Sequence, residues 1–261
     1  MAQKDRVFEI LELIRTKQKI SVSELTQKYK VTNETIRRDL ERLEKEGYIA
    51  RTYGGAVLVQ HPTGHVNYSE RAGQNVDAKM EIGKIAASIL PETGAIGCDA
   101  STTVHALIPY IKSRSGLTLL TNSVRILNDY MFDKIRIIST GGVLSSRTHS
   151  LQGETTLQVL NNYYPDICVL SCRSLDLQNG IYEGNETEAT FKRLMAEHSA
   201  RVILLADHTK FNRPSLIRTF SFSKISVLVT DRKPNEEWIE RMQSENVRLL
   251  YPGCPGLNDN G

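Results

Sequence analysis

Cysteine is scarce in this chain of 261 residues, with single copies at positions 98, 168, 172 and 254. That excludes the dense disulfide framework of small secreted domains. Cys168 and Cys172 fall four apart in an apolar stretch that reads as a strand, which would hold them about 13 Å apart, too far to share one metal ion. Histidine is sparse as well. Only His61 and His65 have a ligand-like spacing, no cysteine or carboxylate lies close by, and no metal is expected. With 17 Gly, 8 Pro and no internal repeat, the chain is neither collagen-like nor of low complexity. No apolar run approaches the ~20 residues of a membrane helix, and the opening Met-Ala-Gln-Lys-Asp-Arg has no secretory apolar segment. A soluble, cytoplasmic protein without a cofactor is expected.

What is present is globular: 40% hydrophobic and 24% charged residues, in a length that suggests two domains at about 150 residues each. The net charge of +3 is unevenly placed. Residues 1–60 hold 12 Lys/Arg against 9 Asp/Glu, while the remaining 21 and 21 cancel. The basic excess therefore sits in the first quarter, although three charges alone fit a solvated helical surface equally well.

Periodicity resolves that first quarter. Val7, Ile10, Leu11 and Ile14 have helical spacing. Ser21-Val-Ser-Glu24 reads as a capping box for a short helix ending near Tyr29. After a turn at Lys30-Val31, Thr32 can cap a third helix with Ile36, Leu40 and Leu43 on one stripe and Gly47 in the C′ role. Tyr48–Tyr53 and Ala56–Val59 read as a hairpin around Gly54-Gly55. A helix-turn-helix followed by a hairpin is a winged helix. Residues near the start of the third helix read bases in this arrangement, which selects Thr35, Arg37 and Arg38, with Arg42 on the flank; arginine can bridge guanine O6 and N7 or clamp a phosphate. Arg51 and Tyr53 on the hairpin can reach the flanking backbone. The competing role for these arginines is i,i+4 pairing with Glu34, Glu41 and Glu46.

Residues 60–76 read as a linker, 77–251 as a second domain and 252–261 as a disordered tail. In the second domain, helical stretches near 78–90, 102–112, 123–132, 150–162, 186–199 and 235–246 alternate with apolar strands. The strands are Ala95–Cys98, Leu117–Leu120, Ile135–Ser139, Ile167–Ser171, Val202–Ala206, Ser226–Val229 and Val247–Tyr251. This is a Rossmann-like α/β pattern with a mainly parallel sheet, whose ligands belong outside the carboxyl ends of the strands. Three of those ends are polar or glycine-rich. Asp99-Ala-Ser-Thr-Thr103 opens a helix whose amides and hydroxyls can hold an anion, with Asp99 accepting from sugar hydroxyls. Asn122-Ser123 and Thr140-Gly-Gly142 repeat the construction. Three in succession favour a phosphate pocket over three helix caps.

The run Ser23–Gly47, with Thr35-Ile-Arg-Arg-Asp-Leu40 at its centre, and Arg51-Thr-Tyr-Gly-Gly-Ala56 resemble the DeoR-type family of bacterial transcriptional regulators. Many members carry His where this chain has Tyr53. Glu183-Gly-Asn-Glu-Thr-Glu188 and Leu205–Phe211 also resemble that family, whose C-terminal domain is similar to the ribose-5-phosphate isomerase and CoA-transferase fold. The resemblance spans about Arg6 to Tyr251 and implies a sensor for a phosphorylated sugar or related metabolite. Asp99, Ser101, Thr102, Thr103, Asn122, Ser123 and Gly142 would line its pocket, with Glu186 and Lys210 as polar partners. For Lys192 and Asp207, ordinary pairing serves as well as ligand contact. Ser101 stands where many members have Gly, and Arg173 where an acid is common, so a cation there favours an acidic or doubly phosphorylated ligand.

The expected function is a repressor of a carbohydrate-utilisation operon that binds double-stranded operator DNA. Its assembly is a homo-oligomer, dimer or tetramer, because one winged helix makes too little contact for tight binding. The alternative is a sugar-phosphate isomerase with a DNA-binding appendage, its acid–base chemistry drawn from Asp99, Glu186 and Lys210.

Overall fold

Ile10, Ile14, Leu25, Ile36, Leu40 and Leu43 recur at helical spacing, and in the computed structural model none is more than 1% exposed. Residues 3–45, 49–58, 67–130 and 134–255 are described. The chain divides into a unit of residues 1–67 and a unit of residues 68–261.

The first unit holds α1 (Gln3–Lys17), β1 (Lys19–Ser21), α2 (Val22–Tyr29), α3 (Asn33–Lys45), β2 (Ile49–Thr52) and β3 (Gly55–Leu58). The Ser21 hydroxyl accepts from the Glu24 amide at 3.2 Å to start α2, and Thr32 Oγ1 accepts from the Thr35 amide at 3.3 Å to start α3. Lys30, at φ 50°, closes α2 in the left-handed region. Asp39 is buried on α3 and accepts from Arg6 Nε at 2.6 Å, which pins α1 across α3. The three strands pair antiparallel in the order β1-β3-β2, so the hairpin expected from sequence gains a third strand. Thr52 faces Gly55 in the register, so Tyr53 and Gly54 form the turn instead of Gly54-Gly55. Gly54 takes φ 90°. Gly55 is required for a different reason: a Cβ there would lie 2.2 Å from the Ile20 carbonyl oxygen. The expected C′ residue Gly47 and the pair His61 and His65 lie outside the described residues.

The second unit opens with α4 (Tyr68–Gly73) and α5 (Val76–Ile89), then β4 (Thr93–Cys98), α6 (Thr102–His105), α7 (Ile108–Ile111), β5 (Gly116–Thr121), α8 (Val124–Asp129) and β6 (Arg136–Ser139). A hairpin follows, β7 (Val143–Ser145) and β8 (Ser150–Gln152), then α9 (Glu154–Leu160) and β9 (Ile167–Ser171). Next come β10 (Ser174–Asp176), β11 (Gly180–Glu183), α10 (Glu186–Glu197), β12 (Arg201–Leu205) and β13 (Ile217–Phe220). The unit closes with β14 (Val227–Val229), α11 (Glu236–Ser244) and β15 (Arg248–Leu250). All seven expected strands meet in one parallel sheet, ordered β15-β14-β12-β9-β4-β5-β6. Alternate residues feed two cores. Ile167, Val169, Ile203 and Leu205 face Ile82, Ala86 and Leu107, while Cys168, Leu170, Val202 and Leu204 face Phe191, Met195, Trp238 and Met242. Gly97 admits Met195, whose sulfur lies 2.4 Å from where a Cβ would stand.

The chain enters the sheet at β4, winds outward through β5 and β6, then returns to β9 on the other side of β4. The order therefore reverses between β4 and β9, and such a switch point opens a crevice beyond the strands' carboxyl ends. Several expected boundaries move. The helix expected over 102–112 splits into α6 and α7, with Pro109 at the start of α7. The stretch from 150 begins as strand β8, not helix. The linker expected to residue 76 already contains α4 and the start of α5, with Tyr68 buried. Of the expected tail, Cys254 is buried and its amide donates to the Tyr251 carbonyl at 3.0 Å; residues 256–261 lie outside the described residues.

Candidate functional site

On α3 the apolar stripe faces inward, which leaves Arg37, Arg38 and Arg42 exposed and Thr35 half-buried beside Thr32, hydroxyl to hydroxyl 2.9 Å. Arg38 Nε stands 3.8 Å from Glu34, an exposed i,i+4 contact of little strength. Arg51 has a firmer partner: its Nε donates to Glu44 at 2.8 Å and its amide to the same carboxylate at 3.0 Å. Arg51 therefore holds the hairpin to α3, a positioning task beyond the backbone contact expected of it. Tyr53 stands wholly exposed at the hairpin tip. Sequence reading passed over Asn33, whose Oδ1 accepts from Thr26 Oγ1 at 2.9 Å and ties α2 to α3.

In the second unit the expected ligand residues sit at five neighbouring strand ends. Across the sheet they run Lys210 after β12, Arg173 after β9, Asp99–Thr103 after β4, Asn122-Ser123 after β5 and Gly142 after β6. Three of them do work other than the expected. Asp99 is buried, with Oδ1 accepting the Ser101 amide at 2.9 Å and Oδ2 the Ser171 amide at 2.9 Å and lying 3.2 Å from Lys192 Nζ. Both oxygens are engaged and the residue is buried, so Asp99 pins β4 to β9 across the switch point, a structural task the sequence did not suggest. Ser123 is fully buried and caps α8, accepting the Ile126 amide at 3.3 Å. Gly142 is required by its φ of 111° and by Thr156 Oγ1, 2.2 Å from the place of a Cβ.

Ser101 caps α6 through the Val104 amide at 3.1 Å, and Thr102 and Thr103 are buried next to it. Since α6 spans only Thr102–His105, a single turn, it offers an anion little dipole, and the charge complement must come from side chains. Arg173 and Lys210 supply it. Burial pushes the Lys210 ammonium below its ordinary pKa; Asp207 opposes this, while Arg173 and Arg71 add to it. Burial and Arg71 likewise lower Arg173, with Glu183 and Glu188 opposing. These cations are thus held close enough to repel each other, the condition an incoming anion relieves.

A cleft of about 320 Å³ is lined by Asn122, Gln152, Glu154, Thr156, Glu186 and Glu188 among others, and the Glu188 charge reaches Arg173. Asn122 Nδ2 donates to the Leu151 carbonyl at 3.2 Å, whereas its buried Oδ1 has no partner. Carboxylates and amide oxygens there suit a polyhydroxyl group, as the cations suit a phosphate. Below both regions Lys192 joins Asp99 to Glu183 and donates to the Ser171 carbonyl at 2.8 Å, which makes it a buried pairing residue. Lys79 and Arg71 escaped the sequence reading, and Glu183 was read only as part of a motif, because their burial and contacts follow from tertiary packing that no local spacing encodes.

The model described as the DeoR-like helix-turn-helix domain matches residues 6–61, and that of the DeoR C terminal sensor domain matches residues 74–232. The uncharacterized HTH-type transcriptional regulator YulB of Bacillus subtilis is 34% identical over 249 residues, 94% of this chain and 95% of its own. The glycerol-3-phosphate regulon repressor of Escherichia coli is 30% identical over 252 residues, 95% of this chain and 99% of its own. Among solved structures, ribose 5-phosphate isomerase A from Methanocaldococcus jannaschii matches 53% of this chain and 55% of that one, at 15% identity and a TM-score of 0.40.

Proposed function

Since the chain belongs to the DeoR family of transcriptional regulators, we propose that it represses a carbohydrate-utilisation operon and leaves its operator when a phosphorylated sugar, or a related metabolite, binds the sensor domain. One observation carries the effector's class: Arg173 and Lys210 follow the neighbouring strands β9 and β12, where Arg173 lowers the Lys210 pKa, and Glu188, which acts on Arg173, lines a cleft with Asn122 and Glu186. The phosphate goes to the cations, the hydroxyls to Asn122, Glu186 and Glu188, with Thr102 and Thr103 at the start of α6 after β4. The similarity to the Escherichia coli glycerol-3-phosphate regulon repressor supports a phosphorylated effector. Regulation without chemistry fits Asp99, which is buried in the Lys192 network and serves there as a structural tie. Val143 and Leu144, large and exposed on β7, support a homo-oligomer.

Effector affinity should be greatest between about pH 6 and pH 8. Below that window the phosphate loses its second charge. Above it Lys79 loses its proton, since burial brings its pKa to about 8, with Lys210 and Arg71 pushing the same way and Asp207 opposing. An anion bound near this group raises that pKa, so binding near pH 8 should take up protons. Calorimetry on the full chain with glycerol 3-phosphate and ribose 5-phosphate, in buffers of different ionisation enthalpy, reads both effects. The unphosphorylated counterparts should bind about 10²-fold to 10⁴-fold more weakly, the loss of two hydrogen bonds to a charged group at about 1.5–3 kcal/mol each. Equal affinity for glycerol and its phosphate, and for ribose and its phosphate, would exclude an anion-selective site.

A further inference from the structure

The helix α4, Tyr68–Gly73, lies between the two matched segments, residues 6–61 and 74–232, and neither assigns it a role. It is fastened across the strand ends on both sides. At its start the Tyr68 amide donates to the Arg147 carbonyl at 2.9 Å, and the Tyr68 ring stacks on His149 with centroids 4.8 Å apart. Just past its end, Asn75 Nδ2 reaches Asp207 Oδ1 and Thr209 Oγ1, each at 3.3 Å, in the loop that carries Lys210. Lys79 Nζ donates to the Arg71 and Gln74 carbonyls and closes the turn from below. Between these ties α4 packs on α6, the turn that begins at Thr102.

From this strap Arg71 projects over the Tyr68 ring, its guanidinium carbon 5.9 Å from the centroid. Its Nε is buried and has no hydrogen-bond partner among the described residues. A buried donor without an acceptor is rare in a folded protein and asks for an unseen ligand. Its neighbours are also cationic: Lys79, Arg173 and Lys210 all experience the Arg71 charge. An arginine with an unpartnered buried donor, in the charge field of three further cations, is arranged for a planar or tetrahedral oxyanion.

We propose that α4 is a strap of the effector site and that Arg71 binds the effector's phosphate, or a second acidic group on the same molecule, together with Arg173 and Lys210. This deepens the sugar-phosphate reading and rests on it. Its consequence is regulatory. The bound anion fixes the first helix of the sensor unit, the one that continues directly from the chain of the DNA-binding unit.

The test uses the full chain with Arg71→Gln and Arg71→Lys, and four probes: inorganic phosphate, glycerol 3-phosphate, ribose 5-phosphate and fructose 1,6-bisphosphate. Without ligand, Arg71→Gln should melt at the wild-type temperature or slightly above it, because one of several crowded like charges is removed. With ligand it should lose 10-fold or more in affinity for whichever probes the wild type binds, and Arg71→Lys should recover part of that loss. A purely structural role for Arg71 predicts the opposite pairing, lowered melting with unchanged affinity. Wild-type affinity in a folded Arg71→Gln overturns this proposal and leaves the sugar-phosphate reading standing. If no probe binds the wild-type protein, the reading of the site fails first, and the strap with it.

Discussion

Alanine at both Arg37 and Arg38 should leave a folded protein that no longer distinguishes its operator from unrelated DNA. Folding does not depend on either side chain. The core of the unit is the stripe Ile36, Leu40 and Leu43, and the polar tie across α3 is Asp39 with Arg6. Both arginines are exposed, and the Arg38 contact with Glu34 at 3.8 Å belongs to a class worth 0–1 kcal/mol. In the major groove their value is larger. A bidentate arginine–guanine contact is worth about 1–3 kcal/mol, so two lost contacts weaken specific binding by about 30-fold to 10⁴-fold per half-site. Binding to unrelated DNA should fall less, because non-specific affinity depends on phosphate contacts spread over the basic surface and not on base reading. Mobility-shift titrations on both DNAs, with circular dichroism melting as the control for folding, measure this. Wild-type operator affinity in a folded double variant removes α3 from base reading.

The second large effect concerns the base of the sensor site. Lys192→Met should cost about 3–5 kcal/mol, the range for removing one partner of a buried ion pair, out of a total of about 5–15 kcal/mol for a typical domain. Burial alone would lower the Lys192 pKa. Glu183, Asp99 and Glu188 instead carry it above the ordinary lysine value, so the ammonium stays charged and binds the network together. Without it, two buried carboxylates face each other across the strand ends. The sign with pH follows from Glu183. Burial already raises its carboxyl, an effect that Lys192 opposes, and removing the lysine raises it further. A group raised in the folded state costs nothing below its unfolded pKa, and the cost grows as pH rises towards its folded pKa. The variant's deficit should therefore be largest near neutral pH and shrink towards about pH 4.5. Trp238, the single tryptophan and buried in the sensor unit, reports that unit's unfolding in urea. A variant as stable as the wild type at neutral pH, or a deficit that does not change with pH, contradicts the network.

Legibility in the sequence followed burial. Strands such as β9 and β14 are buried along their whole length, so they appear as continuous apolar runs bounded by polar ends, and all seven could be placed. The first three helices carry their periodicity and caps within a few residues, at Ser21 and Thr32. The second sheet, ordered β10-β11-β13, left no such trace. Its strands are three or four residues long, and Ile181 pairs with Phe220 from a distant part of the chain. The polar hexapeptide of α4 resembles a linker until Tyr68 and Asn75 find their partners on other elements. The site divided in the same way. Its loops were visible as polar strand ends, but the engagement of Asp99 depends on Lys192 and Ser171, and the place of Arg71 on a packing that no local pattern encodes.

In a repressor released by its effector, the strand-end site and the operator are thermodynamically coupled. The direct measurement is the affinity of the full chain for a phosphorylated effector, with and without saturating operator DNA. It is paired with fluorescence anisotropy of labelled operator, with and without that effector. For a repressor released by its ligand, both affinities should fall by one common factor, typically 5–150-fold, because linkage makes the coupling reciprocal. The same operator titrated with the unphosphorylated compound should show no change. Effector binding that is equally strong on free and DNA-bound protein would contradict the account, since a ligand without differential affinity for the two states cannot move the equilibrium between them.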